Sequence, residues 1–314
     1  MKKIAYLVSA VVAGLGFSTA AQADVSVSGA GGLEVLSAGS TSTVYQGGSV
    51  TFTLSTTTAG GIGISTSSGW GIDSDTADSS ASGAQEFTAL TFTAGGNTLT
   101  FATALEAPAG GGVGGVSKDL VSTGLKAGDA AAGAGDHTGH GVQLATSMGS
   151  ASLTVAYIFD TDTAGNNSDT SGQDTAFGAS VSMPMGPMTV TINMAQDNGT
   201  PNITETGGNI AYAVGGGTLK VGYVDDSSNS ATEISGAYSM SLDADTSVAV
   251  GYKSTDEGSS NSTVTEINLT RSLGGGVSVF LDYSSVGGSS TASTVSGSKS
   301  VNDSALAFGT NIAF

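Results

Sequence analysis

The feature that most constrains this chain is an alternation of apolar with small or polar residues, period two, running from residue 25 to the last residue. Val25, Val27, Leu33 and Val35 alternate with small or polar neighbours, as do Val50, Phe52 and Leu54. The same pattern recurs through Leu153, Val155, Tyr157 and Phe159, through Met188, Val190, Ile192 and Met194, and through Leu219, Val221 and Tyr223. It continues in Val248, Val250 and Tyr252, in Val277, Val279, Leu281 and Tyr283, and ends in Leu306, Phe308, Thr310, Ile312 and Phe314. Side chains on a strand point alternately to opposite faces, so each segment carries one apolar and one small or polar face. No segment beyond Phe17 is a continuous apolar run of the ~20 residues a spanning helix needs. If this chain crosses a membrane it does so with strands, and strands in lipid must close into a barrel, because an open edge would leave backbone groups unsatisfied.

The separators between strands fall into two alternating kinds. Tight turns are read at Ala59-Gly60, Gly95-Gly96, Met148-Gly149, Met185-Gly186, Gly215-Gly216, Leu242-Asp243-Ala244 and Gly274-Gly275, mostly with the glycine that two-residue hairpins favour. Longer polar stretches are read at 37–47, 69–85, 106–136, 160–173, 197–205, 225–230, 254–261 and 285–301. A rim of short turns opposite a rim of long loops is the asymmetry of an outer-membrane barrel. Counting between separators predicts an all-β, transmembrane, antiparallel up-and-down β-barrel of about sixteen strands, a length of ~9–11 residues each being enough to cross the bilayer at a tilt. In this register Tyr157, Phe159, Tyr223, Tyr252 and Tyr283 end odd strands, and Phe92, Met183, Tyr238 and Phe314 fall near the ends of even ones. Two aromatic girdles at the two interfaces are thereby expected. The core of a β-sandwich would not need aromatic residues to segregate by strand parity.

Composition narrows the function. Residues 1–23 carry Lys2 and Lys3, then an apolar stretch, then Ala21-Gln22-Ala23, the pattern of a cleaved export signal. Asp24 is the expected mature start, leaving 24–314 as the barrel. With 49 glycines, 11% charged residues and no cysteine, the remainder is neither a disulfide scaffold nor a charged disordered chain. Formal net charge is −18, and loss of Lys2 and Lys3 makes it two units more negative. Nucleic acid is excluded as a partner by that sign, and cations are favoured over anions.

Three stretches resemble the Gram-negative porin family, and within it the alphaproteobacterial sixteen-stranded general porins. Val25-Ser-Val-Ser-Gly-Ala-Gly-Gly-Leu-Glu-Val is similar to the family's first strand. Val50-Thr-Phe-Thr-Leu-Ser-Thr-Thr-Thr-Ala-Gly-Gly-Ile-Gly-Ile is similar to its second and third with the turn between them. The terminal Phe314 is similar to the aromatic residue that marks such chains for outer-membrane assembly. The resemblance implies a homotrimer in outer-membrane lipid and lipopolysaccharide. It also implies a third long loop, 106–138, folded into the lumen, with Lys118, Asp119, Lys126, Asp129 and Asp136 as constriction residues. Members usually face that loop with an arginine cluster, but this chain has the single arginine Arg271, whose parity with Ile267 and Leu269 places it on the lipid face near the short-turn rim.

Strand parity points Glu34, Glu233, Glu266, Asp282, Lys220 and Lys253 inward as candidate pore-lining residues. The two lysines are candidates to replace the absent arginine wall. The function expected is a water-filled, weakly cation-selective diffusion channel for small hydrophilic solutes, with a substrate-specific channel as the alternative. A surface adhesin of repeated strands would show a fixed-length internal repeat, and none is found. A rim enzyme would need catalytic groups gathered together, and only His137 and His140 offer themselves, without further ligands or cysteine for a metal. No cofactor is expected. The acid clusters at Asp73 and Asp75, Asp160 and Asp162, and Asp225 and Asp226 leave room for loop-bound Ca²⁺, but none has the spacing of an EF-hand and solvated loops are the simpler reading.

Overall fold

A computed structural model describes residues 24–38, 40–73, 89–109, 112–113, 138–160, 175–198, 203–227, 231–256, 261–288 and 304–314. Sixteen strands are present there: β1 (Asp24–Ala38), β2 (Thr41–Thr57), β3 (Gly63–Asp73), β4 (Ala89–Ala94), β5 (Asn97–Glu106), β6 (Thr138–Met148), β7 (Ala151–Asp160), β8 (Ala176–Met185), β9 (Met188–Asp197), β10 (Ile203–Val214), β11 (Gly217–Asp226), β12 (Ala231–Ser241), β13 (Thr246–Asp256), β14 (Asn261–Gly274), β15 (Val277–Gly288) and β16 (Ser304–Ala313). They pair antiparallel in chain order, and β16 returns to β1 to close the barrel. Closure leaves no open sheet edge, which is what allows strands to lie in lipid. Among the described residues no helix is long and apolar enough to cross a membrane.

Parity divides the wall into two surfaces. Val25, Val27, Leu33, Ile192, Val221, Val250, Ile267, Leu281 and Phe308 are all exposed on the outside. The intervening residues face inward, and many toward the long-loop ends are buried. Outward aromatic residues Tyr157, Phe159, Tyr223, Tyr252 and Tyr283 stand in the long-loop halves of β7, β11, β13 and β15. Tyr238 stands at the opposite rim and donates its hydroxyl hydrogen to Val214 O at 3.3 Å, keeping its ring on the apolar band and its polar tip at the turn.

The short turns form as their sequences dictate, with one difference of detail. In the β2–β3 turn the positive φ falls on Gly61 (80°) rather than Gly60, because the hairpin is closed by Thr58 N–H donating to Ile62 O. The β12–β13 turn has no glycine. There the Asp243 carboxylate accepts backbone N–H bonds from Asp245 at 2.8 Å and Thr246 at 2.7 Å, and these bonds fold the chain instead.

One expected loop is absent. Residues 37–47 read as a loop from their serine, threonine and glycine content, yet β1 and β2 pair continuously up to Ala38↔Thr41, leaving a two-residue connection. Val35 and Val44 stand directly opposite on the outer face, an apolar cross-strand pair that outweighs local turn composition. Asp226, read as part of a solvated acidic loop, is likewise strand: it closes β11, faces inward and is fully buried.

At the closure, Gly29 N–H donates to Phe314 O at 2.9 Å and Phe314 N–H donates to Gly29 O at 3.0 Å. The final residue therefore extends the β16 ladder one step beyond the strand proper. Its ring lies over Gly29 on the outer face, where an added Cβ would collide with it.

Candidate functional site: the inner wall and the segment laid upon it

A β-bulge decides where the chain goes after β5. The β5–β6 register shifts between Ala102 and Leu105, which turns Leu105 to the inner face opposite Gly139. The chain then continues inside the barrel. Leu105 and Ala107 pack with Ala156, Ile158, Ala176 and Ala195, inward residues of β7, β8 and β9. Small side chains are required there. A Cβ on Gly178 would lie 2.8 Å from Pro108 Cδ, and one on Gly141 would lie 2.7 Å from Ile158 Cδ1. Two polar contacts carry the segment onward: Asn193 Nδ2 donates to Ala109 O at 3.3 Å, and Val113 N–H donates to Ser235 Oγ at 2.7 Å. The wall thus offers an apolar bed of alanine and glycine at β7–β9 and a hydroxyl at β12.

Charge is distributed along the barrel axis. Asp197, Glu205, Asp226 and Glu233 occupy the long-loop ends of four consecutive strands, β9 to β12, each at most 4% exposed. Glu205 and Asp226 are directly opposite one another. The row ends on β13 at Lys253, whose Nζ is 3.0 Å from Glu233 Oε2 with the two side chains 12% and 0% exposed. Neither Glu233 oxygen accepts an aligned hydrogen bond, so the pairing is Coulombic. Glu34, Glu266 and Asp282 also face inward and are buried, and Asp282 accepts from Asn268 Nδ2 at 2.5 Å.

Between that level and the short turns, the inward wall is almost neutral. Hydroxyl residues dominate it, including Thr91 and Thr100, whose oxygens are 3.4 Å apart, Ser182 and Thr191 at 3.1 Å, and the opposed pair Thr218 and Ser239. Among the described residues the charged strand positions facing inward on this half are Asp24 at the rim and Lys220 on β11, both exposed.

Of the residues singled out from sequence, Glu34, Glu233, Glu266, Asp282, Lys220 and Lys253 all stand on the inner face. Glu233 and Lys253 are brought together as a pair, and Lys220 stands apart from them. Lys118, Asp119, Lys126, Asp129, Asp136 and His137 lie outside the described residues, as do residues 1–23, the expected leader. Arg271 is exposed at the short-turn rim, 3.7 Å from Asp243 and donating to Thr246 Oγ1 at 3.0 Å. Asp243, held first by the Asp245 N–H bond and then by the Thr246 side chain, keeps a pKa below its ordinary 3.8. His140 is exposed, and among the described residues no three histidine or acidic side chains gather as metal ligands.

Sequence reasoning missed Asp197, Glu205 and Asp226, because it placed them in loops. Parity continued one or two residues further would have found them. It had no signal for Asn193 and Ser235 as partners of the inward segment.

The sequence profile of the Gram-negative porin family matches residues 8–291. No curated protein matches the chain in sequence. Similar solved structures include the trimer form of OmpT, an outer-membrane protein of Vibrio cholerae, with 13% identity, a TM-score of 0.66, and 93% of this chain and 99% of that one covered. A porin variant from Rh. blastica is 14% identical with a TM-score of 0.63, covering 93% of this chain and 100% of that one. An anion-selective porin from Comamonas acidovorans is 13% identical with a TM-score of 0.64 and the same coverage. At these identities the structures show a shared fold.

Proposed function

The chain belongs to the Gram-negative porin family, a family of outer-membrane channels rather than enzymes, and on that premise we propose that it is a general diffusion channel, weakly cation-selective, for small hydrophilic solutes. The observation that carries this reading is the axial division of the lumen. Among the described residues, carboxylates cluster in the long-loop half and neutral hydroxyls line the short-turn half, with no converging set of groups at which one solute would be held. Hydroxyls replace hydration water for any polar solute, so a wall of this kind discriminates by size. The sign of the selectivity follows from charge, since an anion-selective channel shares the fold. Lys253 is neutralised by Glu233, which leaves Lys220 as the exposed inward cation among the described residues.

By its resemblance to the family's inward loop, the stretch 106–138 supplies the constriction in this reading, with Lys118, Asp119, Lys126, Asp129 and Asp136 as its charged residues. Glu34, Lys220, Glu233, Lys253, Glu266 and Asp282 set the field of the wall around it, the buried ones acting through the low-dielectric protein rather than by contact with solute. The protein is exported with cleavage before Asp24 and assembles as a homotrimer in outer-membrane lipid and lipopolysaccharide. A trimeric neighbour of the same fold supports the assembly state. No cofactor is needed for this function, and loop-bound Ca²⁺ would be incidental to it.

Swelling of proteoliposomes in neutral sugars of graded size tests the reading. Rates that fall smoothly with solute size support general diffusion. A rate for one sugar that saturates and stands far above the size trend would replace it with a substrate-specific channel.

A further inference from the structure

We propose that Met183, Met185 and Met188 form a thioether site for Cu(I) on the β8–β9 hairpin, at the short-turn rim; the site goes beyond the channel reading and does not depend on it. The chain has 7 methionines, and three of them fall in the stretch Met183-Pro184-Met185-Gly186-Pro187-Met188. Alternation carries all three to the outer face, since Met183 and Met185 share the parity of Val181 and Met188 shares that of Ile192. All three side chains are exposed there. The outer face is elsewhere built mainly of Leu, Val, Ile and aromatic residues, so this hairpin is a local concentration of sulfur.

The register brings the three side chains within reach of one ion. Met185 and Met188 are directly opposite across the turn, and Met183, opposite Val190, is one same-face step behind. Opposed Cβ atoms on such a ladder lie ~4.5–5.5 Å apart and diagonal neighbours ~7–8 Å. With metal–sulfur bonds of ~2.3 Å, three sulfurs around one ion stand about 4 Å apart. The rotatable bonds of methionine are enough to close that difference. The backbone beneath is stiff. Gly186, with φ 65°, suits the first central position of a two-residue hairpin, and Pro187 restricts φ at the next. Pro187 O accepts the Ala213 N–H at 3.0 Å, which ties the turn to β10. The Met185 and Met188 stems are thus held at a set spacing before any ion arrives.

Donor chemistry selects the ion. Thioethers are neutral, soft ligands that favour Cu(I), whereas Ca²⁺ and Mg²⁺ need oxygen donors and Zn²⁺ takes thiolate, imidazole or carboxylate. Neither the residues between the methionines nor the flanking Ser182 and Thr189 supply an imidazole or a carboxylate. Location makes the sulfurs accessible. Met188 pairs with Tyr212, and the same row continues through Leu219 to Tyr238. Tyrosines of this kind mark the membrane–water interface, and in outer-membrane barrels the short turns face the periplasm. An ion on that side reaches the hairpin without crossing hydrocarbon.

The test is competition for Cu(I) between the full-length protein, folded in detergent micelles, and the chromophoric chelator bicinchoninate, under nitrogen with ascorbate to keep copper reduced. Cu(I) is expected to leave the chelator in equimolar amount with the protein, to show sulfur neighbours alone in X-ray absorption at the copper edge, and to be undisturbed by excess Zn²⁺. Leucine replaces methionine at similar volume without a donor, so Met183→Leu, Met185→Leu and Met188→Leu should keep the fold. Each should weaken capture by at least the ~10–100-fold that loss of a group merely supporting a metal ligand costs. Met194→Leu, at an outward methionine away from the turn, should leave capture unchanged. A heat-modifiable wild-type barrel that takes no more copper than the triple leucine variant overturns the proposal. So does copper held through nitrogen or oxygen, or capture that falls as far in Met194→Leu as in the hairpin variants.

Discussion

Gly29 and Phe314 exchange two backbone hydrogen bonds across the closure of the barrel, and the phenylalanine ring occupies the outer-face space that any side chain at position 29 would need. The first and last strands are the most distant in sequence, so their pairing carries the largest loop-closure cost and is expected to form last. A terminal ring seated on a glycine adds apolar area to that late contact.

Gly29→Leu is therefore expected to displace the Phe314 ring and weaken closure by about 1–3 kcal/mol, the usual cost of overfilling a packed position. In a Phe314→Ala background the same substitution should cost less, because the clash has been removed. Urea titration of the heat-modifiable band measures both, and equal costs in the two backgrounds would show that the residues do not couple.

Lys253 and Lys220 separate two roles that look alike in sequence. Removing Lys253 leaves the fully buried Glu233 without its cation, which costs roughly 3–5 kcal/mol. Lys220 is exposed to the lumen, and Lys220→Ala should leave stability within about 0.5 kcal/mol of wild type while making the channel more cation-selective. Denaturation midpoints and reversal potentials measured on both variants check the contrast.

The β12–β13 turn carries a pH signature. Because the folded-state pKa of Asp243 lies below 3.8, the carboxylate's contribution to the turn is fully present above that value and is lost as pH falls through the lower folded value. Hydrogen exchange at the Asp245 and Thr246 amides should accelerate in that acid range relative to neighbouring turns. Asp243→Asn should remove the dependence, since the amide keeps an acceptor but does not titrate.

Much of the architecture is legible in the sequence because period two is a direct record of which face meets lipid. Strand number, the alternation of turn types and the inward assignment of Glu34, Glu233, Glu266 and Asp282 all follow from it. The β1–β2 connection is not legible: serine, threonine and glycine are abundant in this chain's strands as well as in its turns, and the cross-strand partner Val35↔Val44 is what distinguishes the two cases. The bulge after Ala102 is hidden for a related reason, since an inserted residue reverses parity without changing composition. The alanine and glycine bed at Ala156, Ala176, Gly178 and Ala195 reads in sequence as ordinary inward small residues, and its meaning appears only when Pro108 is seen against it.

A barrel that conducts and whose acidic long-loop half favours cations sets up a membrane potential across a salt gradient. The direct measurement is the zero-current potential of the purified protein in a planar bilayer under a tenfold KCl gradient, the same salt on both sides. Stepwise channels are expected, with a reversal potential positive on the dilute side because potassium crosses more readily than chloride. A reversal potential of the opposite sign, or a folded barrel that passes no current, would contradict it.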